Sequence, residues 1–222
     1  MDEKSYILKT KSTTIILTYL GIVMALVPII YMTIIKMTNE TSLAQVILNV
    51  LCYMGLSIFY IILLRNYLFD DLKEFKKRLL ICILVIIGTI VVIKLSDALF
   101  TWIYKSLNKD MGNNQNSVIS MVNEYPILMF LSSAIFAPFV EEIVFRKAIF
   151  SFFKNDWLAL LTSTLAFALI HVISSLDFIH IFPYLAAGFI FSLAYILSKR
   201  NIWVTIIAHS LINLISFIAL VI

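Results

Sequence analysis

The sequence predicts an all-α, polytopic membrane bundle of about seven transmembrane helices, and three observations indicate this fold class. Hydrophobic residues make up 62% of the 222 residues, whereas soluble domains carry about 45–50%. Charged residues make up only 14%, where about 25% is usual. The apolar residues form long runs without the strand-like alternation of an outer-membrane barrel. Because a soluble globule of this size cannot bury so much apolar surface, the composition indicates a chain that resides in a lipid bilayer.

The composition also argues against two other classes of protein. A disulfide-stapled secreted domain needs several cysteine pairs, but the chain has only Cys52 and Cys82, both within apolar runs. The formal net charge is +4, yet the basic residues are scattered along the chain rather than gathered into one patch. The sequence therefore indicates the bilayer, and not nucleic acid, as the partner of this chain.

Seven apolar stretches approach or exceed the length of about 20 residues that a membrane span requires. They lie at about 13–35, 43–64, 79–103, 126–150, 157–174, 180–198 and 201–222. We interpret the first stretch as a retained signal anchor, because it is too long for a signal peptide and carries no small-residue cleavage site.

The distribution of basic residues predicts the orientation of the chain in the cell membrane. Twelve lysines and arginines fall on the side of the N-terminus, namely Lys4, Lys9, Lys11, Arg65, Lys73, Lys76, Lys77, Arg78, Lys147, Lys154, Lys199 and Arg200. Only Lys36, Lys105 and Lys109 fall on the other side. The positive-inside rule then makes the N-terminus cytoplasmic. The frequent Ile, Lys and Asn residues are typical of an AT-rich bacterial genome.

Two loops between the spans have a distinct composition. Residues 65–78 mix charged and apolar side chains, which favours either a short helix on the cytoplasmic surface or a solvated loop. Residues 105–125 are polar and rich in asparagine, which predicts a mobile external loop.

Ionisable residues interrupt the fourth span, where each costs at least about 2.5–3.5 kcal/mol at mid-bilayer. Glu142 and Arg146 are four residues apart on one helix face, which favours an ion pair between them. Glu141 points about 100° away from Glu142 and is left for another role. Pro138 predicts a kink just before the acids. A buried ion pair that only fixes helix packing is an equally good interpretation of Glu142 and Arg146.

The fifth and seventh spans carry further polar residues at helical spacing. His171 follows Phe167 by four residues, and Asn213 follows His209 by four. Taken singly, each histidine is typical of a packing residue, and Asn213 is typical of an interhelical hydrogen bond. Together with the two acids and Arg146, however, they place polar groups on three spans that must turn inward and face one another. This convergence predicts an active site.

The residue types in this cluster suit the hydrolysis of an acyl group by water. A buried glutamate and a histidine can share a water molecule, from which the carboxylate takes a proton. A second histidine and an amide can stabilise the oxyanion that develops. Zinc is compatible with Glu141, His171 and His209 as ligands but is not required, because the chain has no His-Glu-x-x-His motif.

Three short segments resemble the motifs of the CPBP family of intramembrane proteases, which contains the type II CAAX prenyl endopeptidases and their bacteriocin-processing and bacteriocin-immunity relatives. They are EEIVFR at 141–146, FALIH at 167–171 and HSLIN at 209–213. The resemblance divides the chain into a variable N-terminal transmembrane region of three spans at 1–125 and a CPBP-like catalytic core of four spans at 126–222. Lys147 departs from the glycine that commonly follows the arginine in this pattern.

The resemblance also implies a role for each motif residue. Glu141 activates water together with His171, and His209 with Asn213 stabilises the oxyanion. The resemblance further implies that Glu142 and Arg146 support the site. Relatives are described with either a glutamate or a metal-dependent mechanism, so the resemblance leaves the cofactor open.

The function that follows is an intramembrane endopeptidase acting on a membrane-associated peptide or protein. Two alternatives come from other classes. One is a bacteriocin self-immunity protein that acts by binding, since the family includes such members. The other is a proton-coupled transporter, because buried glutamate and histidine residues also relay protons.

Overall fold

The computed structural model describes residues 3–38, 42–109 and 112–221, and these ranges are helical apart from short turns. We number the helices in chain order. They are α1 (residues 3–38), α2 (Ser42–Lys77), α3 (Leu79–Ser106), α4 (Asn113–Glu124), α5 (Pro126–Phe152), α6 (Asp156–Val172), α7 (Ile181–Leu197) and α8 (Ile202–Val221). A single 3₁₀ turn, Phe178–His180, leads into α7.

The predicted all-α membrane bundle is confirmed. Within the described ranges, six helices are long and apolar enough to cross a membrane by length and composition: α1, α2, α3, α5, α7 with its preceding turn, and α8. The fifth predicted span corresponds to α6, which has only 17 residues. At 1.5 Å per residue this helix is about 26 Å long, slightly less than the hydrocarbon core of a bilayer.

Both loop predictions were wrong. Residues 65–77 form neither a separate surface helix nor a loop, because α2 continues through them to Lys77. This extension is held by Leu68, which is buried in the core, and by polar contacts of Asp71 described below. In the predicted external loop, the chain forms α4, which buries Met121 and Val122 against the start of α5.

Within the part of the chain that the structure describes, three π-helical stretches widen the helices locally. The stretches Leu20–Leu26 and Leu131–Phe136 each end just before a proline, Pro28 and Pro138 respectively. Proline lacks the N–H that a regular helix needs and crowds the preceding turn, so a wider turn at this point accommodates it. The third stretch, Ile143–Ala148, contains no proline and directly follows the two acids of α5. Such π-bulges occur frequently at functional sites.

Helix α5 lies at the centre of the bundle. It is the most buried of the membrane helices, and its neighbours include α1, α2, α6 and α8. Helices α6 and α7 pack along each other, and α3 covers α7 and α8 from the other side. The largest core cluster joins α1 and α2 to α5–α8, and its members include Ile15, Tyr19, Tyr60, Leu64, Val140, Ile143, Phe145, Phe150, Leu160, Phe167, Tyr195 and Ile202.

Candidate active site

The two adjacent acids of α5 are both buried. Glu142 is fully enclosed, and Glu141 retains 8% of its exposed surface. The predicted pair of Glu142 with Arg146 is confirmed, because Arg146 Nη1 lies 3.3 Å from Glu142 Oε1. The other carboxylate oxygen of Glu142, Oε2, has no hydrogen-bond partner among the described residues. The cluster therefore brings two carboxyl groups close to a single guanidinium.

Arg146 is held by aromatic rings as well as by its acid. Its guanidinium lies over the rings of Phe167 and Phe191, at 4.6 and 5.3 Å from the ring centroids. Its Nη2 donates to the carbonyl oxygen of Gly188 at 3.3 Å. Because the arginine is fully buried, these contacts offset only part of the hydration that its charge loses, and Nε and Nη1 have no hydrogen-bond partner among the described residues.

His209 of α8 lies between the two acids. Its Nδ1 forms a hydrogen bond of 2.9 Å to Glu142 Oε1, and its Nε2 lies 4.0 Å from Glu141 Oε2. The ring also stacks on Phe191, with centroids 4.6 Å apart. A carboxylate can only accept a hydrogen bond, so Nδ1 carries a proton and Nε2 is the atom that points toward Glu141.

His171 lies at the end of α6, one helical turn beyond Phe167. Its Nδ1 is 2.7 Å from the carbonyl oxygen of Phe167, which can only accept, so this nitrogen also carries a proton. The imidazole packs on the Phe167 ring at 4.5 Å between centroids. Phe167 in turn contacts the ring of His209 at 6.2 Å, which places both histidines around one aromatic side chain.

Asn213 lies one turn after His209 on α8. Its Nδ2 donates to the carbonyl oxygen of Ser133 at 2.8 Å, within the π-helical stretch of α5 that precedes Pro138. One of its two amide hydrogens is therefore engaged in joining α8 to α5. This contact is the interhelical hydrogen bond that such a residue typically forms, and the second hydrogen remains for another acceptor.

Lys147 turns away from the acids, although it is next to Arg146 in the chain. It is largely buried, and its Nζ donates to Asp71 Oδ2 at 2.5 Å. Asp71 belongs to the extension of α2, so this buried pair joins the π-helical stretch of α5 to α2. The departure from the family pattern at Lys147 is thus compensated by a specific partner, Asp71.

The π-helical stretch of α5 is supported from α6. Ser163 is buried and donates to the carbonyl oxygen of Phe145 at 2.7 Å. Ser192 of α7 donates to Ser163 Oγ at 3.2 Å and completes this short polar chain. In a widened helix, carbonyl groups lose their regular partners, and a buried one needs a replacement donor.

Several residues around the cluster could not be predicted from the sequence. Phe191 and Gly188 contact Arg146, and the phenols of Tyr19 and Tyr53 lie within electrostatic range of Glu141. The two tyrosines come from α1 and α2, far from the motif segments in sequence. Because apolar and aromatic residues are abundant throughout the chain, no spacing distinguishes these from lipid-facing ones.

The three side chains proposed as metal ligands do not form a metal site in this arrangement. Within the ranges that the structure describes, no group of three or more His, Cys, Asp or Glu side chains could hold a metal ion. Glu141 and His209 lie close together, but His171 does not join them as a third ligand. We therefore derive no catalytic step through a metal.

The fold and the site together define a class of protein: a multi-pass helical membrane protein with a buried cluster of glutamate, histidine and arginine side chains. Residues 123–215 match the family described as type II CAAX prenyl endopeptidase Rce1-like. That region contains all three motif segments.

Proteins from several bacteria are similar to this chain. A protein of Mycoplasma capricolum described as uncharacterized is 35% identical over 160 residues, which cover 67% of this chain and 47% of that protein. YdiL of Bacillus subtilis, named as a candidate membrane peptidase, is 34% identical over 46% of this chain and 41% of its own length. The membrane-embedded CAAX protease MroQ of Staphylococcus aureus is 36% identical over 47% of this chain and 44% of its own.

The match thus spans about half the length of these relatives or less. No solved structure matches the chain.

Proposed function

We propose that this chain is an intramembrane endopeptidase that hydrolyses a membrane-associated peptide or protein with a water molecule activated by glutamate and histidine. One observation supports this function above the others. Glu141, Glu142, Arg146 and His209 converge as buried polar groups where α5 meets α8, at the position of the family motifs. An ion pair with only a structural role would require Glu142 and Arg146. It would not explain why a second acid, Glu141, lies close to His209.

In the proposed reaction Glu141 is the general base. Its carboxylate takes a proton from water while the water oxygen attacks the carbonyl carbon of the scissile amide. His171 assists through Nε2, since its Nδ1 is engaged with the carbonyl of Phe167. When the tetrahedral intermediate collapses, the carbon–nitrogen bond breaks, and the proton held by Glu141 passes to the leaving amine. One water is consumed for each bond that is cut.

His209 is proposed to stabilise the oxyanion, and its surroundings specify the protonation state that this role needs. Because Nδ1 donates to Glu142, a neutral ring would present a bare Nε2 to Glu141, which is also an acceptor. Only the doubly protonated ring can donate from Nε2.

Asn213 is the second proposed oxyanion donor. It has two amide hydrogens, and the contact with Ser133 uses one of them. The same contact would hold the amide in place, so that the other hydrogen is already oriented when the substrate binds.

The substrate is proposed to be a peptide or protein of the bilayer, because the acids lie within membrane helices. The name of the Staphylococcus aureus relative describes a CAAX protease, but this chain need not act on a prenylated protein. A cytoplasmic N-terminus, which the distribution of basic residues predicts, completes the proposed topology.

The experiment compares cells that produce the wild type, Glu141→Gln and His171→Ala at matched membrane abundance. Short peptides from membranes and medium are identified by mass spectrometry. Glu74→Gln is the matched control, because Glu74 is an exposed acid at the end of α2, remote from the cluster. We expect one or more peptides in the wild type and in Glu74→Gln that are absent from both site variants.

Identical peptide profiles in all four strains would contradict the proteolytic function. If such strains also kept a protective effect against a bacteriocin, the binding-type immunity function would replace it. The sequence of any peptide that depends on Glu141 would identify the substrate and the bond that is cut.

A further inference from the structure

The imidazole of His171 contacts two aromatic rings. Phe167 packs against it in a tilted arrangement at 4.5 Å between centroids, and Tyr184 of α7 stacks on it at 4.7 Å with an angle of 20° between the rings. Together with the hydrogen bond from Nδ1 to the carbonyl of Phe167, these contacts restrict rotation of the imidazole. Phe167 belongs to the same helix as His171, so Tyr184 is the contact that another helix supplies.

Tyr184 is itself held in place by a residue outside the motif segments. Its hydroxyl accepts a hydrogen bond of 3.0 Å from Nδ2 of Asn114, the second residue of α4. Tyr184 is partly buried at the start of α7, so this contact lies at the edge of the bundle. Because Asn114 lies in the first turn of α4, the position of the Tyr184 ring over His171 depends on the position of that turn.

The start of α4 is fixed against the turn that leads into α7. The backbone N–H of Asn113 donates to Asp177 Oδ2 at 2.9 Å, and Asp177 Oδ1 pairs with His180 Nδ1 at 2.7 Å. Gly112 lies against His180 so closely that a Cβ atom there would come within 2.9 Å of His180 Cβ. Tyr104 of α3 packs on the other side of His180 at 4.7 Å between centroids.

We propose that Tyr184 is a positioning residue for His171, and that Asn114 acts on His171 through Tyr184. This inference rests on the proposed function, in which His171 assists Glu141. The ring of Tyr184 keeps the imidazole in the orientation that directs Nε2 toward the acids. The hydroxyl of Tyr184 has no part in the chemistry and serves only to anchor the ring through Asn114.

The test uses variants that remove one contact at a time in the full-length protein. Tyr184→Leu removes the stacked ring, and Tyr184→Phe removes only the hydroxyl. Asn114→Ala removes only the amide that donates to this hydroxyl. The matched control is Phe182→Leu, which replaces an exposed aromatic residue in the same turn of α7. Turnover and KM are measured on the peptide that the wild type is found to cleave.

Tyr184→Leu is expected to lower kcat by roughly 10- to 100-fold with little change in KM, because misplacement of a catalytic group slows the chemical step. Tyr184→Phe and Asn114→Ala are expected to show equal and smaller losses. The double variant should be no worse than either single one, because both remove the same hydrogen bond. Phe182→Leu should match the wild type. Equal kcat in Tyr184→Leu and Phe182→Leu would overturn the inference.

A second measurement separates this inference from the proposed function. Diethyl pyrocarbonate acylates accessible imidazole nitrogens, and mass spectrometry gives the rate at His171 without any substrate. The rate should rise at least about threefold in Tyr184→Leu and stay unchanged in Phe182→Leu, because removal of the stacked ring exposes and frees the imidazole. A higher rate in a chain that cleaves no peptide would support the positioning contact while contradicting the protease. An unchanged rate would overturn the positioning contact whether or not the protein is a protease.

Discussion

At the scale of single residues, the most consequential contact is the one that orients His209. Glu142 accepts from Nδ1, so the second nitrogen of the ring faces Glu141 and the proposed substrate. Glu142 also places a carboxylate beside this ring and beside Arg146. Its contribution to hydrolysis would thus be electrostatic, although it does not touch the substrate.

The first prediction concerns this charge. Glu142→Gln keeps an acceptor for His209 but removes the negative charge, so we expect kcat to fall roughly 10- to 100-fold at neutral pH. The measurement is kcat on the identified peptide at neutral pH. Asp97→Asn, an isosteric change on α3, is the control and should match the wild type. An unchanged kcat in Glu142→Gln would contradict the charge argument.

A second prediction at this scale concerns the close approach of α6 and α7. A Cβ atom at Gly188 would meet the backbone of Thr164, with its carbonyl oxygen at 3.1 Å and its Cα at 3.2 Å. Backbone atoms cannot move aside without shifting a helix, so we expect Gly188→Ala to lower the free energy of unfolding by about 1–3 kcal/mol. Gly55→Ala, whose Cβ would meet nothing within 4 Å, should have no such cost. Titration with dodecyl sulfate in mild detergent compares the two.

At the scale of helices, a group of polar contacts joins the extension of α2 to α5 and α8. Asp71 accepts from Lys147 of α5, and its backbone carbonyl accepts from Asn201 Nδ2 at 2.6 Å. The indole of Trp203 donates to the carbonyl of Leu68 at 2.9 Å. These contacts explain why residues 65–77 are helical and docked, whereas their composition alone favoured a surface segment.

The third prediction tests this junction. Asp71→Ala leaves the buried ammonium of Lys147 without its partner, and we expect a loss of about 3–5 kcal/mol in unfolding free energy. Adding Lys147→Met to that variant should recover most of the loss, because the uncompensated charge is then removed. Glu74→Ala breaks an exposed pair with Lys77 and should cost no more than about 1 kcal/mol. Equal losses of unfolding free energy in Asp71→Ala and Glu74→Ala would contradict the prediction that the buried pair stabilises the fold more than the exposed pair does.

The fourth prediction concerns the attachment of α4. The pKa of Asp177 lies below its usual value, because the backbone N–H of Asn113 and the side chain of His180 donate to the carboxylate. A lowered pKa means that the stabilisation is present above the usual value of about 3.9 and is lost as the pH falls through the lowered one. Asp177→Asn should reproduce that loss at neutral pH and raise hydrogen exchange at residues 114–117 roughly fivefold.

The control for this prediction is Glu124→Gln, which removes a charge from the other end of α4. Its exchange at residues 114–117 should equal that of the wild type. If Asp177→Asn left exchange unchanged, the start of α4 would be held by contacts other than the carboxylate.

At the scale of the whole molecule, the core does not follow the proposed division of the chain at residue 125. Residues of α1 and α2 share one hydrophobic cluster with α5–α8, and Tyr19 packs edge-on against Phe145 at 5.7 Å. We therefore expect the N-terminal helices to be required for a folded site. The division into 1–125 and 126–222 remains a prediction about evolutionary variability rather than about folding units.

The fifth prediction concerns topology. In a variant that lacks Cys52 and Cys82, a cysteine introduced by Ser120→Cys on α4 should react with an impermeant maleimide in intact cells. A cysteine introduced by Lys76→Cys at the end of α2 should react only after permeabilisation, because basic residues are retained on the cytoplasmic side. Both positions are exposed in the structure. The reverse pattern would invert the proposed orientation.

The sequence by itself determined the fold class and the residue types of the site. An excess of apolar residues in long runs requires a bilayer, and helices are the structures whose backbone satisfies its own hydrogen bonds there. For the same reason, buried acids, histidines and an arginine on separate spans had to face one another. The Glu142–Arg146 pair also followed from helical spacing alone.

Only the tertiary structure decided how these groups pair and what holds them. Periodicity assigns residues to a face of one helix, but it carries no information about the rotation and depth of a neighbouring helix. The sequence could not show that His209 lies between both acids, that Asn213 reaches Ser133, or that Tyr184 stacks on His171. The same limit explains the two wrong loop predictions, because α4 and the end of α2 are stabilised by contacts with distant parts of the chain.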